Sequence, residues 1–585
     1  MLEFEYITEI NRGKEVLENF KNDKFLYLDT EVAVKDFNNI DFFSDKVRLI
    51  QIGNEKEIFV FDMFKIPEIV EDLKPVLENK GLIGHNIKFD IKFLKTNFDI
   101  FPKTVYDTMI ASQILSEGEK ERHSLDAVSY RLLDNKIDKS QQTSQWNMET
   151  LTKEQIEYSA NDVKVLREIF PIQKEQLNKI PTPHKSTGKI RQIFGIENAV
   201  AAVEMAFVPE LANMELTGMP IDEELLKKWL KEKQSDYQRK YIEFVRKYGV
   251  DPFSPNQVTN WITRRLGLKL PKTQKGSLSS QDSALRKYID KIEIQELLSI
   301  RSEKKIIDKL KELKQYTRDG RVYSQYRQIG APTGRMSSMH PNLQNITKEL
   351  RVLFKGKEGK KLIVADYSQI ELRIAAEYVK DENMIKAFKE DKDLHRFTAS
   401  IITGKKYEDV EKEERQMAKA INFGLIYGIS PRSLMEYAKN NYGVEISLKE
   451  AQEFQKRFFD FYSGFKEWHE KVKEYLNQHQ KIVVETLLGR RIVAYRFTDA
   501  VNYPIQGTGS DMLKMAVAMF GKLKKDLDAN IVNLVHDEII VEASIKDLDK
   551  AVEVLSNSME KAGNILLKNV PVKFDISPVE TWADK

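Results

Sequence analysis

The 585-residue chain contains no cysteine, so it holds neither disulfides nor thiolate-bound zinc. No apolar run is long enough to cross a bilayer, and the start MLEFEYITEI lacks both the basic head and the apolar centre of a secretory signal. These absences set the expectation of a cytoplasmic, or otherwise intracellular, protein with no membrane partner. An excess of one charge is missing too: 93 Lys and Arg against 90 Asp and Glu leave a formal +3, which does not by itself point to a polyanion. Such a partner would have to be met by local clusters. Lys304, Lys305, Lys309, Lys311 and Lys314 form one, and a solvated helix face explains them equally well. No repeat or low-complexity tract is evident, and 41% hydrophobic residues over this length suffices for three or four domains.

What is present is acid in particular places. The run DYSQIELR spans Asp366 to Arg373, and far downstream comes the triplet His536-Asp537-Glu538. Lys361 to Ala365 reads as a short strand delivering Asp366 at its end. Ile531 to Val535 and Ile539 to Val541 read as two strands of a hairpin with Asp537 and Glu538 at the turn. A fold that joins Asp366 to Asp537 makes ligands for a pair of divalent cations, the chemistry of phosphoryl transfer. Alone, either motif is better explained by solvated acids.

The segment between them changes that balance. Arg415, Lys419, Phe423 and Tyr427 recur every four residues, stacking two cations and two rings on one helix face. A triphosphate would meet the cations, and a base or sugar the rings. An amphipathic helix with a basic end is the alternative, but Asn422-Phe423-Gly424 and Tyr427-Gly428 are hard to explain as packing alone.

A second acid set lies near the N-terminus. Phe25 to Leu28 is strand-like and ends in Asp29-Thr30-Glu31; Val47 to Ile52 and Glu57 to Phe61 alternate like neighbouring strands. Asn86 with Asp90, and Tyr158 with Asp162, have the spacing of one helical face. Asp29, Glu31, Asp90 and Asp162 can hold two hard cations through oxygen, with Tyr158 orienting an attacking water.

At this point the chain resembles a known family. DYSQIELR, the Arg415 to Gly428 helix and the His536 triplet look like motifs A, B and C of A-family DNA polymerases. Thr333-Gly334-Arg335, Pro341 to Ile346, Glu485 to Arg491 and Asn502 to Thr508 match further stretches, and the N-terminal acids resemble the DEDDy class of 3′–5′ exonucleases. The resemblance implies an α/β multidomain fold: a ribonuclease H-like exonuclease domain, then a right-hand polymerase. The boundaries expected are exonuclease 1–175, linker 176–196, thumb region 197–330, palm 331–395 and 496–585, and fingers 396–495. A helical segment from Glu197 to Leu216, interrupted by Pro209, should lead into the thumb, where Arg264-Arg265 and the polar run 272–280 could contact duplex.

The resemblance also implies roles. Asp366 and Asp537 bridge two magnesium ions, which manganese can replace, with the Tyr367 carbonyl completing the shell and Glu538 a weaker ligand. Arg415 and Lys419 neutralise the triphosphate, Gln369 joins the nucleotide site, and Glu371 blocks a ribose 2′-hydroxyl. Phe423 lacks the hydroxyl that would favour dideoxynucleotides, and Tyr427 packs by the templating base. Arg335, Asn342, Gln344, Asn502, Gln506 and His536 contact primer-template DNA. Asp107 and the stretch His123 to Asp126 are structural. The expected partners are primer-template DNA and deoxynucleoside triphosphates, met by a monomer. Asp29 comes too early for a preceding 5′-nuclease domain, so none is expected. One departure stands out: the arginine common four residues before Asn502 is Thr498 here, with Arg496 the nearest base. The rivals are a single-subunit RNA polymerase, disfavoured by Glu371 and the intact exonuclease set, and a non-catalytic DNA-binding factor, which predicts eroded ligands.

Overall fold

The computed structural model describes residues 4–36, 40–138, 140–141, 144–273 and 275–585; within the run 272–280, Gln274 lies outside them, as do the first three residues. The chain forms two compact units. One comprises Met1–Thr217, Tyr326–Ser337 and Ile363–Pro578; the other comprises Gly218–Gln325, Ser338–Leu362 and Val579–Lys585.

The first unit opens with a six-stranded sheet. Its strands are β1 (Glu5–Ile7), β2 (Phe25–Ala33), β3 (Lys46–Gly53), β4 (Ile58–Asp62), β5 (Gly81–Gly84) and β6 (Val105–Asp107), in the order β1-β4-β3-β2-β5-β6. β2 pairs antiparallel with β3 and parallel with β5. Every residue of β4 and β5 is buried, as expected of strands covered on both faces. β2 does not stop at Leu28: it runs on to Ala33, so Asp29 and Glu31 lie mid-strand, two residues apart and on one face.

Four of the helices here bear on the site: α1 (Lys88–Phe98), α2 (Thr108–Leu115), α3 (Lys153–Lys179) and α4 (Ala199–Thr217). The expected boundary at residue 175 falls inside α3. α3 continues through Pro171 to Lys179. Phe194, placed in the linker, is fully buried with its ring against Phe25, Tyr106 and Phe170. Burial of four rings outweighs the polar look of the flanking sequence. Pro209 does not interrupt α4, and α4 belongs to the first unit rather than to the thumb side.

A second sheet in the order β8-β9-β7-β10 is built from β7 (Lys360–Tyr367), β8 (Ala529–Val535), β9 (Glu538–Ser544) and β10 (Phe574–Val579). The helices around it are α5 (Ile370–Val379), α6 (Leu394–Thr403), α7 (Lys412–Ile426), α8 (Phe497–Leu523) and α9 (Leu548–Leu566), with α8 packed on α9, α5 and α4. The α4–α8 seam holds a buried ionic cluster. Arg490 bridges Glu204 and Asp511, and Lys514 donates to Glu204 and to the Gly334 carbonyl, both at 2.7 Å. Two cations balance two anions, the condition under which buried charge is tolerated.

In the second unit, helices Glu223–Tyr248 and Ile292–Gln315 pack over Phe244, Trp261, Leu297 and Ile300. Three lysines of the expected phosphate-binding cluster hold acids: Lys304 pairs with Asp308, Lys305 with Asp282 and Lys309 with Glu312. Near the C-terminus Trp582 is buried against Phe354, with Arg351 over its ring. Among the described residues no helix is long and apolar enough to cross a membrane.

Candidate active sites

The N-terminal acids converge. Carboxylate oxygens of Asp29, Glu31 and Asp162 all lie within 4.8 Å of one another. Two come from adjacent same-face positions of β2 and the third from α3, where Tyr158 sits one turn earlier. Asp90 stands outside this closest set, in the first turn of α1, where the Thr30 hydroxyl donates to its Oδ1 at 2.6 Å. Burial pushes the Asp29 carboxyl up to about 7. Burial and the charge of Asp29 hold Asp90 well above the usual range, and Glu31 rises for the same reasons with Asp162 and Asp90 adding to it. The Tyr158 phenol is raised by burial and by the same acids. Four oxygen donors crowded at such cost suit a hard cation that neutralises them.

Asn86 is not on the helix of Asp90. It adopts φ 54° in the turn before α1, because the buried Asp107 carboxylate takes the Asn86 and Ile87 N–H groups while capping α2 through Met109 and Ile110. Asp107 thereby anchors the turn that aims Asp90, and His123 shares a 2.9 Å hydrogen bond with Ser112 of α2. A pocket of about 330 Å³ opens onto Asp29, Tyr158 and Asp162 and is walled by Asn86, Met109 and Asp126.

The second centre lies on the other sheet. Asp366 is the penultimate residue of β7, and Asp537 sits in the two-residue turn between β8 and β9, closed by the pairing of Val535 with Glu538. His536, exposed at that turn, has the positive φ of 55° that tight hairpins demand. Glu538 is not at the turn as expected; it opens β9 and is buried. Burial, then the charges of Asp366 and Glu371, push the Asp537 carboxyl up to about 7, with Arg335 opposing.

Glu371 is held from two sides. Arg335 Nη2 donates to its Oε1 at 2.5 Å, and the Tyr427 hydroxyl donates to its Oε2. Gln369 begins α5 in a left-handed conformation and is exposed, while the Tyr367 phenol is buried and donates to the Met559 carbonyl at 2.8 Å.

On α7, Arg415 directs both Nε and Nη2 at Asp393, at 2.9 and 2.8 Å, and Lys419 reaches over the Tyr442 ring. Phe423 packs by His395. Tyr427 follows the helix as its cap instead of extending the face. Three of the residues that looked hardest to explain by packing, Asn422, Gly424 and Gly428, have a packing reason. Asn422 is fully buried on His395, which burial keeps neutral by lowering its pKa to about 4. A Cβ on Gly424 would strike Ile429 and Leu434, and one on Gly428 would strike Phe497.

On α8, Asn502 and Gln506 lie one turn apart and half-buried, with the exposed Thr498 one turn earlier; Arg496 is bound to Asp499 at 2.7 Å. Asn342 and Gln344 belong to the other unit, where each stabilises a turn: Asn342 caps the Gln344 N–H and Gln344 accepts from Ser338. Sequence reasoning passed over Asp393, Thr30 and Glu204, since each acts on a partner distant in the chain.

Comparison with known proteins decides the family. The model for DNA polymerase family A matches residues 223–584, and that for a 3′–5′ exonuclease matches residues 4–178. The chain belongs to DNA polymerase family A. It is 48% identical to DNA polymerase I of Aquifex aeolicus over 586 residues, covering 99% of this chain and 100% of that protein. To DNA polymerase I of Pseudomonas aeruginosa it is 31% identical, over 88% of this chain and 58% of the relative, so it spans little more than half of that longer protein. The POL domain of Pol1 from M. smegmatis, solved in complex with DNA primer-template and dNTP, shares the fold, with a TM-score of 0.81, 23% identity and 99% of each chain covered. This polymerase therefore carries a DNA polymerase domain and a 3′–5′ exonuclease domain, and the RNA polymerase and binding-factor readings fall away.

Proposed function

We propose that this polymerase extends a primer 3′ end at Asp366 and Asp537 and removes mispaired ends at Asp29, Glu31, Asp90 and Asp162, with magnesium in both centres. The observation that carries the reading is the approach of two half-buried acids, Asp537 at the turn into β9 and Asp366 at the end of the neighbouring strand β7. Both donor sets offer oxygen alone, which suits Mg²⁺ and lets Mn²⁺ substitute. A pair of such ions, when bound, activates the attacking oxygen and stabilises the departing one. Glu538 is a lesser ligand, and of Tyr367 only the carbonyl would serve.

The remaining roles belong to the chain. Arg415 and Lys419 neutralise the triphosphate, Arg415 by turning its planar fork from Asp393 to phosphate oxygens. Glu371, clamped by Arg335 and Tyr427, fills the space of a ribose 2′-hydroxyl, and Phe423 offers nothing to a missing 3′-hydroxyl. Arg335, Asn502, Gln506, Asn342, Gln344 and His536 face primer-template DNA, with Gln369 beside the incoming nucleotide. Tyr158 orients the hydrolytic water. Palm residues 331–395 and 496–585 flank fingers 396–495, in a monomer working in the cytoplasm. Selectivity of about 10–200-fold per small group is too little for faithful copying, so a second, hydrolytic site corrects the first.

Single substitutions test this. Asp366→Ala or Asp537→Ala should abolish extension and spare magnesium-dependent 3′-end degradation; Asp29→Ala or Glu31→Ala should do the reverse. A folded Asp29→Ala protein that cannot extend primers would sink the assignment of two separate centres.

A further inference from the structure

In the antiparallel pairing of β2 with β3, Asp29 stands opposite Gln51. Directly opposed residues project from the same face of a sheet, with Cβ atoms about 5 Å apart. α3 covers that face: a Cβ on Gly53, the next residue on the same side of β3, would come within 2.9 Å of Val163, the neighbour of Asp162. Gln51 thus lies beneath the helix of Tyr158 and Asp162 and beside the strand of Asp29 and Glu31. It is fully buried and takes no part in the wall of the pocket.

Neither end of its carboxamide, Oε1 or Nε2, has a hydrogen-bond partner. A buried polar group in that state destabilises the fold, whereas an apolar side chain of the same shape would cost nothing of the kind. Stability does not account for an amide there. Its neighbour does: a carboxylate that gives one oxygen to a cation needs a donor for the other, and such donors set ligand orientation and affinity. Asp29 accepts from the Thr30 backbone N–H. Gln51, opposite it on the sheet and on the same face, is placed to supply one.

We propose that Gln51 is a positioning residue of the exonuclease: when a cation is held, its otherwise unpartnered Nε2–H donates to Asp29 and fixes that carboxylate in its ligating orientation. The inference rests on the ligand role given above to Asp29, Glu31 and Asp162. It assigns Gln51 no contact with substrate.

The test uses the full chain with Gln51→Met, an apolar side chain of similar length, and Gln51→Leu as a second variant should the first not fold. Bound Mn²⁺ is counted by electron paramagnetic resonance, unfolding is followed without metal, and 3′-end degradation is titrated with Mn²⁺. Gln51→Met should bind the same number of ions about tenfold more weakly. The Mn²⁺ concentration for half-maximal degradation should rise in step, the saturated rate should change far less, and the metal-free melting temperature should hold or rise. Unchanged Mn²⁺ affinity would overturn the proposal, as would metal-free destabilisation with affinity intact, the mark of a structural amide. Asp29→Ala is the separate control: if it binds as many ions as the parent, the ligand assignment itself fails, an outcome distinct from failure of Gln51 alone.

Discussion

The Tyr427 hydroxyl donates to Oε2 of Glu371 while Arg335 occupies Oε1 of the same carboxylate, so a side chain on α5 is clamped by the cap of α7 and by the loop at Gly334. A carboxylate held at both oxygens cannot swing aside for an extra hydroxyl. Glu371→Ala should therefore raise ribonucleotide incorporation most. Tyr427→Phe should raise it about tenfold or more yet remain below Glu371→Ala, because losing one hydrogen bond to a charged group is worth about 1.5–3 kcal/mol. Competition between ribo- and deoxynucleotides reads both ratios. An unaltered ratio in Tyr427→Phe would show that the clamp does not hold the gate.

The Arg415–Asp393 pair competes with the triphosphate for the same guanidinium. Asp393 also caps α6 through the Arg396 N–H, and asparagine caps equally well, so Asp393→Asn removes the charge and keeps the helix end. A pair this exposed is worth about 0.2–1 kcal/mol, so the KM for deoxynucleotides should fall by about 1.5–5-fold. Steady-state extension measures it, and a higher KM would mean that Asp393 orients Arg415 for phosphate.

Thr498 is exposed one turn before Asn502 on α8. Restoring a cation there with Thr498→Arg should tighten primer-template binding and steepen its salt dependence by about 0.9 in log–log slope, the share of one phosphate contact. Binding isotherms at several salt concentrations decide it. A parallel slope would place Thr498 away from the DNA.

Glu210 of α4 is pushed up to about 7 by burial, and its carboxylate occupies the space that any side chain at Gly521 would need. Between pH 4.5 and about 7 the folded chain keeps a proton that the unfolded chain has released, so stability falls as pH rises through that window and levels off above it. Glu210→Gln removes the loss, on the order of 3 kcal/mol by linkage. Denaturation of both proteins from pH 5 to 8 should show the parent close to the variant at low pH and falling progressively below it as pH rises; parallel curves would contradict the protonated state.

The acid motifs and the spacing of Arg415 with Lys419 were legible in the sequence, because strand alternation and helical periodicity are local and carry their own signal. Asp29 with Glu31, and Asp366 with Asp537, could be named as candidate ligand pairs before any fold was known, since chemistry selects the residue type. What the sequence by itself could not show was which neighbour each group meets. Asp393 on Arg415, Thr30 on Asp90, Glu204 on Arg490 and Gln51 beside Asp29 join residues up to hundreds of positions apart, and no periodicity records such a pairing. The same ignorance made Asn422 and Gly424 look chemical and Phe194 look like linker, until burial against His395, Leu434 and Phe170 gave each a packing reason. Residue chemistry is written locally; whether it is spent on substrate or on the protein's own interior depends on desolvation and on partners, and only the tertiary structure supplies those.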